Sequence, residues 1–506
     1  MNPARSMSLG VLGAWLSGCA VGPNYHAPKA DAPEQFVSSP SAQVSSSTQN
    51  AIDLSRWWAA LHDSELESLI ERAIRANPDI EIALTRLQEV REQEAVLVGN
   101  ALPEVAADAA AGRGTGSDMT RSGALPALRA GDNKGSLNQI RQVAGFAASW
   151  EIDLFGGYRR AIEAGKYDIE AAAAARNAVL ISVVADVARN YVDMRGLQAR
   201  RAILQENIST AEQSREFEQA RYDRGLTNEL DLQLAIREYQ TLLAQLPLLQ
   251  GEIKSTQYDI AVLLGQYPEN LVDELTPSGV LPNLPEGIAP GLPLELLQRR
   301  PDVREAERRL AAATARIGVA TADLFPHVAL AGALGTQSAN IGAHGSHIWG
   351  FGPSVYWPLL DFGALDAMVN IADLQAHEQL VNYRKTVIAA VQDADSAIAR
   401  YAAQVQRLDS LASAMRASER AVDLAQQRYG RGLTDFLNIV DAERQEYTLE
   451  EEYTAAEQSA ADAFIYLYRA LGGGWEQYQN IPSIRRPEPA VIAGFHRLVT
   501  NDDPQQ

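Results

Sequence analysis

Arg221-Tyr222-Asp223-Arg224-Gly225-Leu226-Thr227 returns 207 residues later as Arg428-Tyr429-Gly430-Arg431-Gly432-Leu433-Thr434. Trp150 and Trp357 share this offset, as do Phe155-Gly156 and Phe362-Gly363, and Leu264-Gly265 and Leu471-Gly472. Upstream, Asn77-Pro78-Asp79 pairs with Arg300-Pro301-Asp302, and Leu102-Pro103 with Phe325-Pro326, both at an offset of 223. The unit is far longer than the roughly 20–50 residues of a solenoid repeat. It reads as a duplicated half-molecule, so whatever one copy forms the other forms again.

Outward from each glycine turn run stretches without helix breakers. From Ala364 to Tyr429 there is neither Gly nor Pro, and a continuous helix over that stretch would reach about 100 Å. Leu180, Val184, Val187, Tyr191 and Met194 step by four and three, as do Val387, Val391, Ala394, Ile398 and Tyr401, with Val405 and Leu408 continuing the series. This is a heptad seam. A second heptad helix follows each turn, with Leu242, Leu246, Leu249 and Ile253 in the first copy and Pro247 expected to bend it. The simplest geometry is an antiparallel hairpin. Gly225 and Gly432 are free to take positive φ and stop the first helix, and Thr227 and Thr434 are expected to cap the second. Further helices are predicted at about Ser64–Val98 and Leu294–Ala322, interrupted at Pro78 and Pro301.

Short segments of a different period lie between the helices. Ala144, Phe146, Ala148, Trp150 and Ile152 alternate with Gly145, Ala147, Ser149, Glu151 and Asp153; Trp349, Phe351, Val355, Trp357 and Leu359 alternate with Gly350, Gly352, Ser354 and Tyr356. Apolar and aromatic residues on one face, with small or polar residues on the other, are the mark of outer-membrane strands. An ordinary sheet covered by a helix is the plainer alternative. Partner strands are expected from Glu104 to about Gly112 and from His327 to about Thr336, with polar, Gly-rich loops after them. Two copies give four strands. Four cannot close a barrel, and open edges cannot face lipid. Three chains would supply twelve strands, and their helices would continue the barrel as a tube.

The ends carry other signals. Arg5, the apolar run from Met7 to Leu16, and Leu16-Ser17-Gly18-Cys19 read as a secretory signal over residues 1–18. Cys19 is the only cysteine, so it forms no disulfide within the chain. Residues 19–63 are rich in Pro, Ser, Ala and Gln and read as an extended linker, and residues 477–506 as a loose tail. The two structural repeats then occupy residues 64–281 and 282–476. A formal charge of −20, from 64 acidic and 44 basic residues, argues against nucleic acid as a partner.

Leu16-Ser17-Gly18-Cys19 resembles the bacterial lipoprotein processing box, which implies a lipid on Cys19 and, with Ala20 next, sorting to the outer membrane. With Val21-Gly22-Pro23-Asn24-Tyr25, Trp57-Trp58, Arg299-Arg300-Pro301-Asp302-Val303, the two hairpin turns and Leu437-Asn438-Ile439-Val440-Asp441-Ala442, essentially the whole mature chain resembles the TolC-type outer-membrane efflux ducts. Within them it resembles the OprM/NodT-like lipoprotein branch. The resemblance implies a mainly α fold with a membrane β part: a homotrimer with a twelve-stranded β-barrel and a long coiled-coil α-helical barrel. It also implies a periplasmic adaptor, docked through Arg221, Gly225, Leu226, Thr227, Arg428, Gly432, Leu433 and Thr434, and an inner-membrane pump of the resistance-nodulation-division class. At the tip, Asp441 matches the family's gate aspartate and Leu437 the adjoining constriction, with Asn438 where some members carry a second aspartate. Asp231 and Tyr429 match its latch, and Thr434 stands where some members place an arginine.

Leu437 and Asp441 are four residues apart and share one helix face. Three-fold symmetry would turn them into an apolar and an acidic ring, able to gate by dewetting and to favour cations. Without the resemblance, a heptad leucine and a solvated acid are the plainer reading. No His-Glu-x-x-His or phosphate loop is present, and His344 and His347 lack a third ligand, so no metal, no cofactor beyond the lipid and no enzyme activity are expected. Asp393 and Asp395 read as a solvated or pore-lining face. Three functions follow: a passive exit duct for small toxic compounds, a duct for type I protein secretion, and a lipid-tethered periplasmic scaffold.

Overall fold

A computed structural model describes residues 20–29, 33, 35–38, 53–114, 139–277, 279–285, 293–338 and 346–478. Cys19, His344, the signal, the tail beyond Tyr478 and the loop at 115–138 lie outside the described residues. In chain order the elements are α1 (Ser64–Ala76), α2 (Pro78–Asn100), β1 (Glu104–Gly114), β2 (Gln139–Ile152), α3 (Gly157–Asp223), α4 (Glu229–Leu263), α5 (Val272–Leu275), α6 (Pro293–Arg299), α7 (Pro301–Ala322), β3 (His327–Ser338), β4 (Ser346–Tyr356), α8 (Ala364–Gly430) and α9 (Leu437–Ala470). The order repeats: short helix, longer helix, strand pair, very long helix, return helix.

The α3 and α8 helices are each 67 residues long, or about 100 Å. Each forms an antiparallel hairpin, α3 with α4 and α8 with α9, while α2 and α7 flank α3, α7 also lies beside α8, and α9 packs on α3. An 18-residue stretch of α3 is apolar enough to cross a bilayer, yet 56% of it is buried inside the chain. It is the heptad seam. Leu180, Val184, Val187, Tyr191 and Met194 are all buried and meet Ala394, Ile398 and Tyr401 of α8 and Phe464 and Leu467 of α9. Burial of that stripe, rather than intrinsic propensity, holds helices of this length. Pro247 lies within a continuous α4.

The segment read as a linker is partly core. Leu54–Leu61 forms a 3-10 helix whose Trp57 and Trp58 are buried, with Trp57 stacked on Tyr468 at 5.9 Å between ring centroids. Two tryptophans in eight residues show no period, so composition concealed their place in the core. Asp393 and Asp395, expected on a solvated or pore-lining face, are half-buried and engaged: Asp393 with Arg300 (3.3 Å) and Asp395 with the backbone N–H of Ser38 (3.1 Å).

The duplication holds at the level of single bonds. Trp150 Nε1 donates to the carbonyl of Ala101 (3.0 Å), and Trp357 Nε1 to that of Leu324 (3.1 Å). Asn77 Nδ2 donates to the carbonyl of Leu263 (2.8 Å), and Arg300 Nη1 to that of Ala470 (2.9 Å). In both pairs one residue moves by 207 positions and the other by 223. Asn77 also caps α2 through the backbone N–H of Asp79 and Ile80; Arg300 instead binds Asp302 and Asp393. Different side chains reach the same carbonyl in the two copies.

The four strands form one antiparallel sheet in the order β1-β2-β3-β4. The strands run slightly beyond the expected ends, to Gly114 and Ser338. Phe146 lies opposite Ala107 and Leu334, Leu334 opposite Trp349, and Trp150 opposite Leu330. These rows form one apolar face, on which Trp349 and Phe351 are 76% and 80% exposed. Gly145, Ala147, Ser149 and Glu151 face the other way, as period two requires. Gly145 and Gly335 oppose one another there, and a Cβ on Gly145 would meet the Leu334 and Gly335 backbone. Among the described residues no helix packs extensively on the sheet, which argues against the helix-covered alternative.

Candidate functional site

Two regions bear on function, the sheet and the far ends of the hairpins. At the first hairpin end Gly225 takes φ 72°, and at the second Gly432 takes φ 68°. The N–H of Leu226 bonds the carbonyl of Arg221 (2.9 Å), and that of Leu433 the carbonyl of Arg428 (3.0 Å). The two turns are the same motif, in which a left-handed glycine returns N–H groups to the last free carbonyls. Positive φ is why glycine recurs.

The predicted caps shift. Asn228, not Thr227, caps α4 by accepting from the N–H of Asp231 (3.0 Å), while the Thr227 hydroxyl donates to the Asp231 carboxylate (2.7 Å). Thr434 does not cap α9, which starts at Leu437 behind Phe436 with no side-chain cap. Asn228 is adjacent to the first turn and competes successfully for it. In the second copy the start is fixed by packing: Phe436, Ile439 and Val440 are buried with Ala235 and flanked by Tyr429.

The other faces of this first turn carry the candidate gate. Leu437 is 47% exposed. Asp441 is also exposed, and its carboxylate lies 3.3 Å from the Arg444 guanidinium. The Asn438 N–H donates to the carbonyl of Asp435 (3.1 Å). Leu437 and Asp441 are thus presented outward from one helix, opposite the apolar face that holds α9 in place.

Tyr429 lies within electrostatic reach of Asp231. Its hydroxyl donates to Glu218 of α3 at 2.8 Å. Arg221 lies over its ring at 5.2 Å. Burial, with Glu218 next to it, pushes the Tyr429 hydroxyl up to about 12. Glu218 is fully buried, and its second oxygen, Oε2, has no hydrogen-bond partner. Sequence reading overlooked this residue. A signal was present: Leu204, Ala211 and Glu218 recur every seven residues and are all buried, so an acid occupies a core position of the seam.

His347 lies in β4, and no group of residues suited to holding a metal occurs among the described residues. The chain thus combines a sheet with an apolar outer face, open at both edges, with helices long enough to span much of a periplasm. That combination defines an outer-membrane channel subunit. The chain belongs to the outer membrane efflux protein family, which matches residues 69–266 and 292–473, one segment per copy. It is 28% identical over 487 residues to nodulation protein T of Rhizobium leguminosarum bv. viciae, covering 96% of each chain. It is 28% identical over 474 residues to the toluene efflux pump outer membrane protein TtgC of Pseudomonas putida, covering 93% of this chain and 95% of TtgC. Among solved structures, the outer-membrane channel OprN aligns with a TM-score of 0.80 and 34% identity, over 90% of this chain and 100% of OprN. The chain is accordingly an outer-membrane efflux channel protein that extends into the periplasm.

Proposed function

We propose that this chain is the passive exit duct of a tripartite pump for small toxic compounds, working as a homotrimer lipid-anchored through Cys19. The observation that carries the proposal is the four-stranded sheet, whose lipid-suited face ends in two unpaired edges. Open edges cannot persist in lipid, so the sheet must be completed by others like it. A periplasmic adaptor docks on the hairpin turns around Arg221, Gly225, Leu226 and Thr227 and around Arg428, Gly432, Leu433 and Thr434. An inner-membrane pump of the resistance-nodulation-division class supplies the energy. Similarity to a toluene efflux protein favours small organic compounds over secreted proteins. Deleting the gene should raise sensitivity to such compounds and leave protein secretion intact; the opposite pattern would favour the secretion duct.

In this reading Leu437, Asn438 and Asp441 line the periplasmic constriction, and Asp231 and Tyr429 belong to the latch. Leu437 and Asp441 are exposed on the first two turns of α9, where a ring of three subunits would narrow the bore. Leu437→Ala combined with Asp441→Ala should raise single-channel conductance in a planar bilayer. Unchanged conductance would remove these residues from the gate.

A further inference from the structure

Val21-Gly22-Pro23-Asn24-Tyr25 lies ahead of the segments that the family model matches, which begin at residue 69, and the proposed duct leaves it without a role. It is not slack. The segment is held between α3 of the first copy and α7 of the second. The N–H of Val21 donates to the carbonyl of Phe155 (3.0 Å). The Arg160 guanidinium is buried, with the residue only 4% exposed. It donates to the carbonyls of Val21 (3.1 Å) and Gly22 (3.3 Å) and to Asn24 Oδ1 (2.7 Å), with Glu163 at 2.8 Å. The Tyr25 hydroxyl donates to Glu307, and its ring meets that of Tyr167 edge-on at 5.9 Å. Arg308 in turn holds both Glu307 oxygens, at 2.7 and 2.8 Å.

Glycines make the fit. Gly22 takes φ 85°, and a Cβ there would come 2.4 Å from Gly318 Cα. A Cβ on Gly318 would meet the Arg160 side chain at 2.8 Å, and one on Gly156 would meet Ala20 at 2.7 Å. The duplication does not repeat this seat. The residues equivalent to Arg160, Tyr167, Glu307 and Gly318 are Ala367, Leu374, Leu84 and Ala95. None of these four side chains can donate to a carbonyl, and each carries the Cβ that Gly318 lacks. A receiving site present once suits a ligand present once per chain.

We infer that α3 and α7 around Arg160 form a binding site for an extended peptide, that its ligand is this chain's own segment Ala20–Tyr25, and that Arg160 positions the N-terminus through it. Ala20 is thereby fixed beside Gly156, between the end of β2 and the start of α3. The site needs both copies, so the segment made first is seated last. The placing of the anchor rests on the lipid proposed for Cys19: the acyl chains then enter the membrane at the strand–helix boundary, not from the end of a free tether.

Proteolysis of the full chain in detergent tests the site, with chymotrypsin cutting after Tyr25, trypsin cutting after the exposed Lys29, and intact mass identifying each product. Arg160→Ala removes the receiver, and Gly22→Ala sets a Cβ against Gly318. Each should speed the cut after Tyr25 at least about tenfold, because a site cut through local opening is cut in proportion to how often it opens. The cut after Lys29, outside the seat, should stay within about twofold. Arg160→Lys should behave like Arg160→Ala, since an ammonium does not reproduce the guanidinium fork. Gly22→Ala changes the strap alone and keeps the test intact should Arg160→Ala fail to fold. Equal cutting after Tyr25 in the unaltered chain and in Gly22→Ala would overturn the site. Protection of Tyr25 in a chain whose mass shows no acyl group would remove the anchor and leave the site standing.

Discussion

The two hairpin ends share a backbone and differ in what surrounds it. Tyr222 and Tyr429 occupy equivalent positions before the turn. Tyr429 is bound to Glu218 and flanked by Arg221 and Phe436. Tyr222 is 40% exposed, and the residue equivalent to Glu218 is Ala425. One end is thus tied across the two copies by a partly buried hydrogen bond, and the other presents an open aromatic. Duplication fixes the turn, whose backbone demands glycine; it leaves the side chains free to diverge where one end faces its own chain and the other faces outward.

Further up the molecule the same contrast gives a larger effect. Arg300 and Asn77 reach equivalent carbonyls, but Arg300 brings a charge to a site where it is only 9% exposed. Replacing it leaves the Ala470 carbonyl and two carboxylates without their partner. Arg300→Ala should cost about 2–3 kcal/mol, discounted from a fully buried pair because both aspartates are partly exposed. Asn77→Ala should cost about 1 kcal/mol, mostly a lost helix cap. Thermal unfolding in detergent measures both, and equal losses would break the comparison.

The tip comes next. Tyr429→Phe and Glu218→Ala should each destabilise, with a coupling of about 1 kcal/mol in a double-mutant cycle. Tyr222→Phe should stay within about 0.5 kcal/mol. A coupling near zero would mean that the Tyr429 bond contributes nothing.

The last effect depends on pH. Asp462 of α9 is largely buried, with Asp193 nearby, and burial first and that second acid next push its carboxyl up to about 7; Arg189 opposes the shift. Its counterpart in the first copy is Ser255. The folded state therefore keeps a proton that the unfolded chain has already released, so stability falls as pH rises from about 4 through about 7. Asp462→Asn should raise the thermal midpoint by a few degrees at about pH 8 and change it little at about pH 4. A shift of the same size at both pH values would contradict this account.

Much of the architecture was legible in the chain. Heptad spacing, period-two alternation and a glycine flanked by matching residues are local signals, and each names one element. The four strands were legible too, and the proposed ring follows from them because lipid forbids open edges. The rest depended on contacts between distant residues. Glu218 looks like any surface acid until its heptad phase is counted. Asn228 displaced Thr227 as cap because adjacent short polar residues compete for the same N–H groups, and only geometry decides. Trp57 and Trp58 stood out as a family match, but their burial was hidden in a segment whose average composition is that of a linker.

Subunit number is the property on which the whole account turns. Imaging of the purified, detergent-solubilised particle by electron microscopy tests it directly. The account predicts a three-fold symmetric tube, with a helical barrel on the order of 100 Å long continuing a closed β-barrel. A population of single chains, or a ring without a continuous bore, would contradict it.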